Sequence, residues 1–164
     1  MWNFNGAPFA TCPVSHKTCA EASAPPDGLL EALGVRAVHV ARSAFDWMVE
    51  VESADILRAA KPDFTQLKRV QARGVILTSP SDTREFDFLS RFFAPGSGVD
   101  EDPVTGSAHC TLTPHWARKL GKTEMTAFQA SARGGVVKVA LAGARVKLGG
   151  QAVTVMRGVL AHDP

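Results

Sequence analysis

The chain has 164 residues, 45% hydrophobic and 21% charged, which fits a single globular domain and excludes wholesale disorder. Lys and Arg number 18 against 16 Asp and Glu, giving a net charge of +2 that is interspersed rather than clustered, so a nucleic-acid partner is not expected. No run approaches the roughly 18 apolar residues of a bilayer span, which excludes a transmembrane helix and gives no reason to expect a membrane partner.

Residues 1–26 read as an irregular N-terminal segment, with Pro8, Pro13, Pro25 and Pro26 among small and polar residues. They lack the basic and long apolar regions of a signal peptide. The regular domain is expected over 27–164. Asp27 is placed to cap a short helix through Leu29, Leu30 and Leu33, stopped by Gly34. Strands are predicted at Val38–Val40 and Trp47–Val51, and Ser53 opens a second helix over Ala54–Ala60 that ends ahead of Pro62. Further strands follow at Gly74–Thr78 and Phe86–Phe93. The tail reads as a meander of Val136–Leu141, Arg145–Leu148 and Gln151–Met156, divided by Ala142-Gly143 and Gly149-Gly150 turns.

From Pro103 through Ala117 there is no Asp, Glu, Lys or Arg. A helix without a charged face is buried on all sides. Pro114 is expected to kink or divide it. Short strands around one buried helix give an α+β fold: a mostly antiparallel, barrel-like sheet wrapped around a central buried helix. Cys12, Cys19 and Cys110 form an odd set with no zinc spacing, read as small packing residues in a reducing, cytoplasmic setting, without a metal.

The chemically informative stretch is Gly98 to Cys110, where Asp100, Glu101 and Asp102 precede the helix. A helix start exposes unpaired N–H groups and a partial positive charge, which suits a carboxylate or phosphate at Gly106, Ser107 and Ala108. Asp102 at its mouth is an acid/base candidate; equally, Asp100 and Asp102 can serve only as helix caps. His109 is either a core histidine or a ligand contact, while His115 and Trp116 are expected to pack. Arg133, ahead of Gly134-Gly135, is a second anion-binding candidate or a turn residue.

The run EDPVTGSAHC, followed by PHWARKLGK, QASARGG and GGQAVTV, resembles the C-terminal half of the phenazine-biosynthesis isomerase (PhzF-like) family, which has a diaminopimelate epimerase-like fold. The likeness extends from about Ala24 to Ala161. It implies a parent of two similar halves with the active site in the cleft between them. The implied chemistry is cofactor-free, metal-free proton movement on a small carboxylated molecule. By motif, Asp102 corresponds to the family's active-site aspartate, and Gly106 and Ser107 to the residues that hold the substrate carboxylate. The family's principal acid/base, a glutamate in a segment resembling NLSET, has no counterpart here, nor does its Cys-Gly-His-Ala-type helix start. Phe4 to Pro13 resembles the family's opening F-x-G-N-P-A-A-x-C-P stretch. The expectation is therefore an isomerase half that pairs as a homodimer across the surface of the absent half, or an inactive relative that binds a small carboxylate or only self-associates.

Overall fold

The computed structural model describes residues 9–13, 19–151, 155, 156, 158 and 159. Nine strands form one mixed sheet: β1 (Phe9–Pro13), β2 (Glu21–Ala22), β3 (His39–Arg42), β4 (Asp46–Glu50), β5 (Gly74–Pro80), β6 (Phe88–Phe93), β7 (Glu124–Gln129), β8 (Gly135–Ala142) and β9 (Arg145–Gly149). Their order is β1-β9-β8-β7-β6-β5-β4-β3-β2. Two neighbouring pairs, β4 with β5 and β6 with β7, run parallel, and the others run antiparallel. A parallel pair needs a crossover. The first carries α2 (Ala54–Ala59) and α3 (Phe64–Leu67); the second carries α4 (Gly106–Leu120).

The two crossovers cover opposite faces. Met48, Ile76, Phe88, Phe92, Met125 and Val139 pack with Leu112 and Trp116 of α4. The alternate residues Val49, Val75, Leu77, Leu89 and Phe93 pack with Leu57 and Leu67 of α2 and α3, and with Leu29 and Leu33 of α1 (Leu29–Leu33). Strands β5 and β6 are thus enclosed on both faces, which accounts for their near-continuous apolar runs. Strand β8 alternates instead, with Val137 and Val139 buried and Val136 and Lys138 exposed.

Flat, nine strands would span about 40 Å at a spacing of ~4.8 Å, four times the ~10 Å width of a helix. Yet α4 reaches most of them. His115 stacks on His39 of β3, Trp116 Nε1 donates to Thr78 Oγ1 of β5 at 3.0 Å, and Trp116 stacks on Phe88 of β6 at 5.5 Å. It also packs on β7, β8 and β9 and is bonded to β1. The sheet must therefore curl, and it forms a half-barrel. Residues Ala108 to Thr113 of α4 are buried without interruption, more than a full turn, so every face of that stretch is covered.

Several sequence expectations are corrected. Pro114 lies inside α4, which is a single 15-residue helix, so the alternative of a divided helix is excluded. Asp27 does not cap α1: Gly28, at φ +81°, is the N-cap, and Leu29 N–H donates to Pro26 O at 3.2 Å. The segment 1–26, expected to be irregular, contributes both edge strands, β1 and β2. Cys12 and Cys110 form a disulfide, 98 residues apart in sequence and 6.5 Å apart at Cα. β1 brings them together by pairing with β9 beside α4, a proximity that spacing cannot reveal. The reading of Cys12 and Cys110 as unpaired packing thiols is thereby corrected, while Cys19 is free. Of the expected strand Gln151–Met156, residues 152–154 lie outside the described residues, and Gln151, Val155 and Met156 carry no strand. Among the described residues, no helix is long and apolar enough to cross a membrane.

Candidate functional site

After β6 the chain folds back on itself. A short 3-10 turn, Pro95–Ser97, ends at Gly98, whose φ of +85° suits a residue without Cβ. Ala94 N–H donates to Val99 O at 3.1 Å, and Asp102 N–H donates to Phe92 O at 3.0 Å. These bonds return Asp102 to the end of β6, just ahead of α4.

The three successive carboxylates then separate. Asp100 is exposed. Glu101 forms a two-pronged ion pair with Arg91, at 2.7 and 3.0 Å, and Arg91 Nη1 also donates to Leu57 O and Ala60 O at the end of α2. Only Asp102 faces the start of α4, where its Oδ2 accepts from the Thr105 hydroxyl.

The segment from Asp102 to Thr105 is clamped by the chain around the β7–β8 turn. Gln129, the last residue of β7, is wholly buried. Its Oε1 accepts from Thr105 N–H at 2.8 Å, and its Nε2 donates to Asp102 O at 2.7 Å and Thr105 Oγ1 at 3.1 Å. Ser131 Oγ donates to Pro103 O at 2.8 Å and accepts from Gly134 N–H at 3.1 Å. Gly135 permits the approach, because a Cβ there would lie 2.2 Å from Val104 Cγ2.

Thr105 is the N-cap of α4, but its hydroxyl makes no capping bond to an amide. An N-cap hydroxyl ordinarily accepts from an amide of the first turn. Here it serves Asp102, and the amide-rich tip of the helix keeps its capacity for an anion. Beside the tip lies a cavity of about 250 Å³ lined by Asp102 and Ser107 with Phe92, Val99 and Arg73 among its walls. Gly106 and Ser107 are exposed and Ala108 is buried.

Of the sequence-predicted residues, Asp102, Gly106, Ser107 and Ala108 are therefore together. Arg133 is exposed on the β7–β8 turn and does not line the cavity. His109 is wholly buried, its Nδ1 bonded to Thr105 O at 2.8 Å, and burial pushes its pKa from the ordinary 6.5 to about 4. It is a neutral core histidine. Arg73, Gln129 and Thr105 went unnoticed in the sequence. Arg73 Nε donates to the buried Asp46 at 2.9 Å while the arginine reaches the cavity, and no local pattern announces that role. Gln129 stands in the QASARGG run, the one signal that could have found it.

A second concavity, of about 680 Å³, lies beside the other end of α4 and holds none of these residues. There the buried Glu50 accepts from Lys119 and is bonded to His115 Nε2 at 2.9 Å. Burial opposes its ionisation, yet the bonds to His115 and Lys119 outweigh that and hold its pKa below the ordinary carboxylate value. His39 nearby is held below the ordinary histidine value by burial, then by the charges of His115, Lys119 and Arg118.

The sequence profile of the phenazine biosynthesis-like protein family, PhzC–PhzF, matches residues 8–158. The chain belongs to the PhzC–PhzF family. It is 49% identical over 135 residues to an uncharacterized isomerase of Halalkalibacterium halodurans, covering 82% of this chain and 51% of that protein. It is 51% identical over 130 residues to an uncharacterized isomerase of Pseudomonas aeruginosa, covering 79% and 49%. The crystal structure of a PhzF-family phenazine biosynthesis protein from Enterococcus faecalis superposes with a TM-score of 0.80 at 31% identity, over 87% of this chain and 53% of that one. The PhzF-like half-barrel expected from the sequence is thus the fold found. This PhzC–PhzF chain spans about half the length of the curated relatives it matches.

Proposed function

We propose that this chain forms one wall of an isomerase site, in which Asp102 handles the proton and the tip of α4 seats the carboxylate of a small substrate. The observation that carries the reading is that Asp102 and Ser107 open on one cavity at a helix start whose N-cap hydroxyl is diverted from capping. The amides of Gly106 to Ala108 and the Ser107 hydroxyl would hold the carboxylate. A carboxylate seated there lies within reach of Asp102, and a base beside the acidic carbon is what proton abstraction next to a carboxylate requires. Asp102 accepts the proton and returns it to a different atom of the same molecule, so the product is an isomer; an epimer would result from return to the same carbon on its opposite face. The protein's part in this scheme needs no cofactor.

A single wall leaves the cavity open to water, which weakens the electrostatics of proton transfer. A second copy of the chain, paired about a two-fold axis, would supply the facing wall and set two such sites opposite each other. Light scattering at micromolar concentration tests the pairing: a dimer is expected, and a monomer removes this element of the proposal.

The experiment for the chemistry is incubation with a panel of hydroxy and amino acids in deuterium oxide. Deuterium wash-in by the wild type that disappears in Asp102→Asn and falls at least tenfold in Ser107→Ala is the expected result. A second reading, binding without turnover, is favoured by one observation: Asp102 is the only carboxylate among the described residues lining the cavity. Saturable perturbation of the Gly106–Ala108 amides by acetate, with no wash-in from any acid, would decide for that reading.

A further inference from the structure

We infer that Gln129 is the positioning residue of Asp102, acting through the Thr105 hydroxyl. The inference rests on the proposed role of Asp102 as the proton-handling group.

The direction of each bond follows from what each group can do. The Thr105 N–H can only donate, so the carboxamide of Gln129 must turn its oxygen toward it, at 2.8 Å. That orientation points Nε2 at two acceptors, Asp102 O at 2.7 Å and Thr105 Oγ1 at 3.1 Å, and uses both of its protons. Having accepted from Gln129, the Thr105 hydroxyl has one proton to give, and it gives it to Asp102 Oδ2. The relay therefore runs from Gln129 to Thr105 to Asp102.

Two consequences bear on chemistry. Oδ2 is engaged by a donor that Gln129 fixes in place, while Oδ1 accepts no hydrogen bond among the described residues. Oδ1 is thus the oxygen at which a proton can be taken without breaking the relay. The Gln129–Thr105 part of the relay is also dry: Gln129 is 0% and Thr105 8% exposed, so water does not compete for the bonds between them. Backbone pairing holds Gln129 from both sides, opposite Ser90 of β6 and Gly135 of β8, so its side chain can be changed while the strand stays in register.

Neither side chain of similar size, methionine or glutamate, reproduces these bonds at neutral pH. Methionine has similar length but no donor or acceptor of this strength. Ionised glutamate would press a carboxylate against Asp102 O and Thr105 Oγ1. Protonated glutamate recovers the acceptor for Thr105 N–H and one of the two donors, so it can serve Thr105 Oγ1 or Asp102 O but not both.

The test uses the whole chain with Gln129→Met and Gln129→Glu, and with Thr105→Val and Thr105→Ser as a pair that removes or keeps the hydroxyl. In the wash-in assay, Gln129→Met and Thr105→Val are expected to lower kcat ten- to a hundredfold with KM within about threefold, the scale of a misplaced catalytic group. Thr105→Ser should restore kcat to within about threefold of wild type. Gln129→Glu should be inactive at pH 7.5 and regain part of its activity as pH falls toward 5, where the acid O–H can again donate to Thr105 Oγ1, a gain the wild type does not show. Equal kcat in wild type and a folded Gln129→Met would overturn the inference, as would identical losses in the two Thr105 variants. If Gln129→Met does not fold, the Thr105 pair and the pH profile of Gln129→Glu decide. If the wild type itself exchanges no deuterium, the isomerase reading fails separately. The inference is then judged by the Asp102 carboxyl carbon resonance at pH 7, expected to move in both Gln129→Met and Thr105→Val and return in Thr105→Ser; no movement in a folded Gln129→Met would sink it.

Discussion

Acid should weaken this protein through one buried imidazole. His109 is wholly enclosed on α4, and burial lowers its pKa to about 4 from the ordinary 6.5, against the smaller opposing effect of its bond to Thr105 O. Between those two values the unfolded chain takes up a proton that the native fold refuses. Stability is therefore full above pH 6.5, falls as pH drops through the interval, and reaches its floor near pH 4, where both states are protonated. Each pH unit across the interval costs about 1.4 kcal/mol, so the whole loss is on the order of 3 kcal/mol. That is a large share of the roughly 5–15 kcal/mol that holds a domain together. The assay is urea denaturation at pH 7.5, 6.5, 5.5 and 4.5 for wild type and His109→Asn, whose side-chain amide can still donate to Thr105 O. His39, also held below its ordinary pKa, adds acid sensitivity of the same sign, and Glu50 adds more as pH falls further, but both are present in each protein. The difference between the curves isolates His109. It should narrow steadily from pH 6.5 to 4.5, because the asparagine variant pays a constant packing cost without the proton-linked one. Parallel curves, or a His109 imidazole resonance that titrates near 6.5, would contradict a neutral, buried His109.

Two further outcomes follow from the same fold. Gly135→Ala puts a Cβ 2.2 Å from Val104 Cγ2, so the 102–105 segment must shift; a loss of about 1–3 kcal/mol is expected in thermal or urea melts, with weakened acetate perturbation of the Gly106–Ala108 amides. Cys12→Ser, or reduction of the wild type, should cost about 2–4 kcal/mol by opening a link across 98 residues, and denaturation with and without reductant checks it; equal midpoints, or three free thiols by mass, would contradict the pairing.

The elements with strong local signatures were legible. Ser53 announced α2, and its hydroxyl accepts from Ile56 N–H at 3.3 Å. Strand β5 starts at Gly74 as expected and β8 covers the expected Val136–Leu141, while β6 starts at Phe88, two residues later than expected. Strand β7 was not legible, because its inward residues alternate as Met125, Ala127 and Gln129, an apolar, a small and a polar side chain, and only enclosure by α4 makes them a core face. The edge strands β1 and β2 were hidden for the opposite reason: a proline-rich segment carries no strand signal and pairs only because β9 and β3 offer it an edge.

Local sequence was enough for the uncharged helix, for β6 ahead of it and β8 and β9 beyond, for the family motif and for the order of Asp102, Gly106, Ser107 and Ala108 along the chain. These are local properties, set by which side chains tolerate burial and which backbone needs a cap. Tertiary structure decided what those residues mean. It drew Glu101 away to Arg91, turned the Thr105 hydroxyl from capping to Asp102, carried Arg73 and Gln129 to the site from 29 and 24 positions away from Asp102 and Thr105, and left Arg133 in solvent. A curled sheet sets these distances, and long-range pairing between strands leaves no trace in local periodicity.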